Sequence, residues 1–338
     1  MKPHEDIGGG RKASHANSLN KRLRGVLVPF PTPFDAAGEV DARAVRSNVE
    51  RWNAAGVDGY VALGSTGERV HLDERERMKV VEAARAAVPE DRAFVVGVGE
   101  QGTRATVRET NSAAEAGADA VLVITPHFYR GAMSAPVLFK HFSTVADSSP
   151  VPVVLYNIPQ NTGVALAPEL VAQLSEHANI CGIKDSSGDM VNLVEMLRLI
   201  GEGREDFVSM TGHAGVFYAA LCAGVGGAIL AAAAPAPRLC TEIFRAFVAG
   251  EHERARAAQA RLAPLARAVT TRYGVGGLKA ALDVLGYRGG AVRAPLPQPA
   301  EEARREIAQL FEGLAERDAG REEGGRDDQR VETRGALQ

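Results

Sequence analysis

The sequence has few cysteines and aromatic residues, no long apolar run and no excess of positive charge. Its 338 residues include three cysteines and one tryptophan, and 39 basic side chains balance 42 acidic ones. Three scattered cysteines give no disulfide framework and are typical of a reducing cytoplasm. The charge balance argues against a nucleic-acid-binding protein. No apolar run approaches the roughly 20 residues of a membrane helix. The polar start (MKPHEDIGGGRKASH) lacks the apolar centre of a secretory signal. We therefore expect a cytoplasmic protein that binds neither nucleic acid nor membrane.

Both ends of the chain are polar and charged. Residues 1–24 mix charges, glycine and small polar groups, and residues 316–338 are about half charged with almost nothing apolar. Such segments bury too little surface to offset the entropy lost on ordering. We predict a disordered N-terminal tail at 1–24 and a disordered charged tail at 316–338.

Between the tails, short β-branched runs alternate with segments of helical spacing. The runs are at 25–30, 59–64, 93–99, 120–125, 152–157, 180–185, 207–212 and 226–230. They are apolar on both faces, as parallel strands covered by helices are. Eight such units predict an α/β fold, a (β/α)8 barrel over residues 25–250, with an open doubly wound sheet as the alternative. Residues 251–315 continue as a C-terminal helical extension.

Catalytic residues of such a barrel lie at the carboxyl ends of its strands. Lys184 ends the sixth apolar run and Tyr156 ends the fifth. Desolvation disfavours an ammonium group, so a lysine there favours the nucleophilic amine that forms Schiff bases with carbonyl compounds. A neighbouring phenol can transfer protons. The alternatives are a lysine that extends to solvent and a core tyrosine bonded to backbone.

The segment Gly-Ser-Thr-Gly-Glu (64–68) follows the second run. Its hydroxyls and backbone N–H groups can hold a carboxylate without a cation, although the same pattern also suits an ordinary tight turn.

Two other patterns suggest different functions. Residues 97–102 match G-x-G-x-x-G, and Asp119 lies near the acidic position of a dinucleotide site, which would indicate a nicotinamide-dependent dehydrogenase. That fingerprint belongs to the first unit of a Rossmann fold, whereas this is the third of eight. His127 and His213 both fall near strand ends, but two imidazoles make a poor metal site. We expect no cofactor and no metal.

Three segments in this order resemble a known family. GSTGE (64–68), YNIP (156–159) and GIKDSSGD (182–189) are similar to the dihydrodipicolinate synthase / N-acetylneuraminate lyase family over about residues 25–314. The resemblance implies a barrel, commonly a homotetramer, whose lysine condenses with a 2-oxo acid such as pyruvate. Residues 125–134, 145–163, 268–290 and 293–296 are most similar to the 4-hydroxy-2-oxoglutarate aldolase branch.

The resemblance also implies roles for single residues. Lys184 matches the Schiff-base lysine and Tyr156 the proton-transferring tyrosine. Ser65 and Thr66 match the loop that holds the 2-oxo-acid carboxylate, with Thr66 also a candidate in proton transfer. Ser186, Gly212 and Asn161 complete the expected substrate-binding set.

The sequence departs from the family at two places. Synthases place an arginine after YNVPS to bind the second substrate, whereas this chain has Gln160-Asn161-Thr162. Phe128 stands where many members have a tyrosine that reaches into a neighbouring subunit.

Together these features predict a lyase that cleaves 4-hydroxy-2-oxoglutarate to pyruvate and glyoxylate. The alternatives are 4-hydroxy-tetrahydrodipicolinate synthase or another lyase or dehydratase of the family, a nicotinamide-dependent dehydrogenase, and a non-catalytic 2-oxo-acid binder.

Overall fold

A computed structural model describes residues 19–314 of the chain. Eight parallel strands pair in sequence order, and the last pairs with the first, so the sheet closes into a barrel. The strands are β1 (Val26–Pro29), β2 (Gly59–Ala62), β3 (Ala93–Val98), β4 (Ala120–Ile124), β5 (Val153–Asn157), β6 (Ile180–Asp185), β7 (Val208–Thr211) and β8 (Gly227–Ile229). The predicted (β/α)8 barrel is confirmed, and the open sheet is excluded.

Helices follow the strands and cover the outer face of the barrel. They are α1 (Ala42–Asn53), α2 (Glu74–Arg85), α3 (Thr103–Glu115), α4 (Ala135–Ser148), α5 (Pro159–Thr162), α6 (Pro168–Ser175), α7 (Met190–Ile200), α8 (Phe217–Ala223) and α9 (Pro237–Val248). Asp41 and Asp73 begin α1 and α2, where their carboxylates accept backbone N–H bonds.

Alternation along each strand divides the core into two layers. Leu27, Val61 and Leu122 belong to the cluster that fills the barrel, whereas Val26 and Val28 pack outward against the helices. Both faces are therefore dry, which explains why the strand sequences are apolar without a polar alternate.

The prediction of a disordered tail over residues 1–24 is wrong for residues 19–23. They are helical, and Leu19 and Leu23 are 2% and 0% exposed within the barrel cluster. The two leucines lie four residues apart, so one helix face carries both. The rest of that predicted tail, residues 1–18, and the tail predicted at 316–338 lie outside the described residues.

The C-terminal extension consists of helices. Helix α10 (His252–Arg267) packs against α9, a π-helical turn (Ala268–Arg272) follows it, and α11 (Gly274–Val284) leads to a further helical segment at 301–314. Within residues 19–314, no helix is both long and apolar enough to cross a membrane.

Candidate functional site

Lys184 and Tyr156 lie side by side at the carboxyl ends of two neighbouring strands. Their Cα atoms are register partners between β5 and β6. Both side chains are buried, at 4% and 3% exposure. Nζ of Lys184 lies 4.3 Å from the centre of the Tyr156 ring. A phenol and an amine are thus held together, and both are largely buried.

The Lys184 side chain passes close to Gly212, which begins the loop after the next strand, β7. A Cβ atom at Gly212 would lie 2.8 Å from Cε of Lys184 and 1.9 Å from Oγ of Ser186. Only a residue without a side chain leaves room for both groups. Gly212 therefore fixes where the amine can lie.

The segment 64–68 is held in an unusual backbone conformation. Leu63 before it and Glu68 at its end have φ angles of 56° and 53°, in the left-handed region that non-glycine residues rarely adopt. Oγ of Ser65 lies 3.2 Å from the phenol oxygen of Tyr156, and Thr32 donates a buried hydrogen bond to the carbonyl of Gly67. The Ser65 hydroxyl therefore lies beside the phenol, and Thr66 lines the same cavity.

A buried ion pair anchors this loop to the C-terminal extension. Nζ of Lys279, on α11, lies 2.5 Å from Oε1 of Glu68, and both side chains are almost inaccessible to solvent. The other carboxylate oxygen of Glu68 accepts the N–H of Arg293 at 2.8 Å. Burial lowers the pKa of the Lys279 amine, and the Glu68 carboxylate opposes that shift. No sequence pattern indicates this pair, since its two members are far apart in the chain.

The predicted site residues meet in one cavity of about 990 Å³ at the carboxyl end of the barrel. The predicted residues that line it are Lys184, Tyr156, Ser65, Thr66, Ser186, Gly212 and Asn161. The described residues that line this cavity include no aspartate or glutamate, whereas they include two arginines of the C-terminal extension, Arg267 and Arg272. The cavity therefore suits an anionic molecule.

The loop after β5 is tied to the loop after β6. The Gln160 amide donates to the backbone carbonyls of Ser186 and Ser187, at 3.2 and 2.6 Å. Below it, the Asn157 amide donates to the Asp185 carboxylate at 2.7 Å. These contacts hold the two strand ends that carry the phenol and the amine. Gln160 is thereby committed to the protein itself rather than to a ligand.

Phe128 and Tyr129 project away from this cavity. They are 74% and 72% exposed, and their rings pack edge to face at 5.0 Å. Neither lines the cavity that contains Lys184. Within the described chain, Tyr129 does not supply the hydroxyl that Phe128 lacks.

The G-x-G-x-x-G segment serves packing at the end of β3. A Cβ atom at Gly97 would meet the carbonyl oxygen of Leu63 at 2.3 Å, so the glycine allows two strands to approach. The N–H of Gly99 donates to a carboxylate oxygen of Glu109 at 2.8 Å. That N–H is therefore already bonded within the protein, whereas a dinucleotide site needs such N–H groups for the pyrophosphate. The dinucleotide interpretation finds no support in this geometry.

The two histidines near strand ends are separated. His213 lines the cavity of Lys184, and His127 lines a neighbouring cavity. In residues 19–314, no group of three or more His, Cys, Asp or Glu side chains is arranged to hold a metal ion.

A (β/α)8 barrel with a buried lysine and a phenol at adjacent strand ends has the architecture and the site position of a barrel enzyme. A profile of the Dihydrodipicolinate synthetase family matches residues 22–313. The chain therefore belongs to that family.

Relatives of similar length carry one activity name. The chain is 38% identical over 280 residues to a 4-hydroxy-tetrahydrodipicolinate synthase of Methanothrix thermoacetophila, covering 83% of this chain and 93% of the relative. It is 37% identical over 298 residues to a protein of the same name from Agrobacterium fabrum, covering 86% and 99%. These comparisons do not support a special closeness to the 4-hydroxy-2-oxoglutarate aldolase branch. Membership of the family is confirmed, and the branch remains a proposal.

Solved structures share the same architecture. Dihydrodipicolinate synthase from Thermotoga maritima superposes with a TM-score of 0.83 at 28% identity, covering 86% of this chain and 98% of that one. A prophage protein of the same family from E. coli K12, solved in complex with pyruvate, has a TM-score of 0.81 at 29% identity, covering 87% and 99%.

Proposed function

We propose that the protein is a class I aldolase that binds pyruvate as an imine on Lys184 and cleaves 4-hydroxy-2-oxoglutarate to pyruvate and glyoxylate. The observation that carries the proposal is the buried Lys184 amine, 4.3 Å from the Tyr156 ring, in a cavity whose described lining has no carboxylate. A desolvated amine beside a proton donor is what imine formation requires.

The first stage forms the imine. Nζ of Lys184, as the free amine, attacks the C2 carbonyl carbon of the substrate and gives a carbinolamine. Tyr156 donates its phenolic proton to the carbinolamine hydroxyl, water leaves, and the protonated imine remains. The hydroxyls of Ser65 and Thr66 hold the C1 carboxylate, since they line the same cavity beside the phenol.

The second stage breaks the C3–C4 bond. The Tyr156 phenolate removes the proton of the C4 hydroxyl, directly or through Thr66, and the C4–O bond becomes the carbonyl of glyoxylate. The electron pair of the C3–C4 bond moves into the imine and forms an enamine. Protonation of C3 and hydrolysis of the imine then release pyruvate and restore the amine. These steps use no cofactor.

The choice of 4-hydroxy-2-oxoglutarate depends on the loop after β5. Gln160, Asn161 and Thr162 stand where the synthases have an arginine for their second substrate, and the Gln160 amide is bonded to backbone. The aldehyde side of the cavity thus differs from the pattern that the resemblance attributes to a synthase.

A second candidate is 4-hydroxy-tetrahydrodipicolinate synthase, in which the pyruvate enamine condenses with aspartate semialdehyde. The names of the relatives at 34–38% identity favour this candidate over the first. Both candidates use the same imine on Lys184 and differ in the second substrate. The homotetramer and the cytoplasmic location expected from the sequence remain predictions.

One experiment tests the shared step and separates the candidates. Borohydride reduction in the presence of pyruvate should add one pyruvyl group at Lys184, located by peptide mass spectrometry. Labelling of Lys140 or Lys279 instead would refute the assignment. Pyruvate release from 4-hydroxy-2-oxoglutarate is then compared with pyruvate consumption with aspartate semialdehyde. Faster reaction with the semialdehyde would favour the synthase.

A further inference from the structure

Two arginines of the C-terminal extension reach the cavity of Lys184. Arg267 ends α10, and Arg272 ends the π-helical turn that follows. Ala263, Arg267 and Thr270 are spaced by four and three residues, so they share one helix face, and all three line the cavity. Helical turns of the π type are frequent at functional sites.

The two guanidinium groups differ in what they already bind. Arg272 pairs with the Glu306 carboxylate at 2.5 Å and lies 4.9 Å from the centre of the Tyr273 ring. Arg267 makes neither an ion pair nor a side-chain hydrogen bond with any residue in the part of the chain that the structure describes, and it is exposed. The cavity wall thus carries one guanidinium that is paired with a carboxylate, that of Arg272, and one that has no such partner among the described residues, that of Arg267.

The substrate proposed above has two carboxylates, and the site provides for one of them. Ser65 and Thr66 line the cavity that contains the phenol and the amine, and the proposed function places the C1 carboxylate there. The second carboxylate lies three carbons from the imine carbon. Gln160 is occupied, and Asn161 offers only a neutral amide. A guanidinium forms stronger, often two-pronged, hydrogen bonds to a carboxylate than an amide does.

We propose that Arg267 binds the second carboxylate of a dicarboxylic 2-oxo acid held as an imine on Lys184. This inference rests on the proposed function and deepens it by naming the residue that selects dicarboxylic substrates. It places that selection on the C-terminal extension rather than on the loop after β5. A cation in the last turn of α10 also stabilises the helix dipole, and this purely structural role is the competing explanation.

The test compares two 2-oxo acids that form imines without being cleaved. Borohydride trapping at Lys184 is titrated with 2-oxoglutarate, which has the second carboxylate, and with 2-oxobutyrate, which lacks it. In the parent protein, we expect half-saturation at a lower concentration of 2-oxoglutarate. Arg267→Gln should raise that concentration by about 10-fold or more and leave the values for 2-oxobutyrate and pyruvate within about twofold. Arg267→Lys should restore part of the preference.

Arg272→Gln is the matched control, because it removes a neighbouring guanidinium that already has an acidic partner. It should leave the preference for 2-oxoglutarate unchanged. An equal loss in Arg272→Gln, an equal effect of Arg267→Gln on 2-oxobutyrate, or a lowered Tm with no change in preference would overturn the inference. If pyruvate itself is not trapped at Lys184, the proposed function fails and this inference with it. If pyruvate is trapped but the preference is absent, only this inference fails.

Discussion

Nζ of Lys279 lies 2.5 Å from Oε1 of Glu68, and this buried pair joins the C-terminal extension to the loop that contains Ser65 and Thr66. The Lys279 amine also donates to the carbonyl of Ala291 at 2.7 Å and lies 4.4 Å from the centre of the Phe34 ring. The Lys279 amine thus has three partners, which are a carboxylate, a carbonyl and an aromatic face. The geometry of the loop therefore depends on residues that do not line the cavity of Lys184.

Lys279→Met should destabilise the protein and loosen this loop. Removing one member of a buried ion pair leaves the other charge uncompensated, at a cost of about 3–5 kcal/mol. The free energy of unfolding, measured in urea, should fall by that order, and half-saturation of pyruvate trapping should rise. Adding Glu68→Gln removes the stranded charge and should recover part of the stability. Lys140→Met, at an exposed site, is the control. A loss in Lys279→Met no larger than in that control would show that the pair is dispensable.

Tyr156→Phe should slow turnover by about 10²–10⁴-fold, the range for one positioned acid–base group. The substitution keeps the ring and removes one hydroxyl, whose protein partner is Ser65 at 3.2 Å, so Tm should change little. Steady-state kinetics and thermal unfolding are measured on the same preparations. Tyr129→Phe, at a 72% exposed position outside the cavity, should behave like the parent. Near-parental turnover in Tyr156→Phe would mean that water or another group moves the protons.

Gly212→Ala should abolish most imine formation because the new methyl group would occupy the path of the Lys184 side chain. The added Cβ would lie 2.8 Å from Cε, and Ser186 would have to turn away as well. We expect borohydride trapping of pyruvate to fall by at least about 10-fold, since small displacements of a reacting group are costly. Gly131→Ala, where a Cβ meets no atom within 4 Å, is the matched control. Trapping that matches the control would show that Lys184 reaches its position by another path.

Stability should fall as the solution is acidified through the pH range of His141. Burial lowers the pKa of this imidazole to about 4, from 6.5, and its Nδ1 lies 2.9 Å from Oγ1 of Thr103. Between pH 6.5 and about pH 4 the unfolded chain binds a proton at this imidazole and the folded chain does not. The free energy of unfolding therefore decreases as the pH falls. From pH 7.5 to pH 5 this group should cost about 2 kcal/mol. The His141→Gln variant should lose less stability over that interval by about the same amount, as measured by urea unfolding at both values. Parallel curves for the two proteins would contradict the assignment.

The barrel could be predicted from the sequence because each strand is a short apolar run that can be recognised locally. A strand covered on both faces must be apolar throughout, as Val153 to Leu155 are, and the run ends where the site begins. Strand order then follows from chain order in a closed parallel sheet. This is why Tyr156 and Lys184 could be expected as neighbours, and their register confirms it.

The parts that could not be predicted depend on contacts between distant segments. Nothing around Glu68 or Lys279 in the sequence marks them as partners, because an ion pair leaves no periodic pattern. Leu19 and Leu23 lie in a polar sequence context that predicts a tail, although their spacing fits one face of a short helix. Arg267 lines the cavity because the extension packs against the barrel, and no pattern in the sequence marks this contact.

The left-handed backbone conformations of Leu63 and Glu68 are a source of strain beside the loop that contains Ser65 and Thr66. Conformations of this kind cost of order 1–3 kcal/mol each. A glycine at position 63 would relax that torsion, but it would also remove a side chain that is only 3% exposed and let residues 64–67 sample more conformations before a ligand binds. The packing of the Leu63 side chain therefore holds the loop in a conformation that the backbone alone disfavours, and the loop is preorganised as a result.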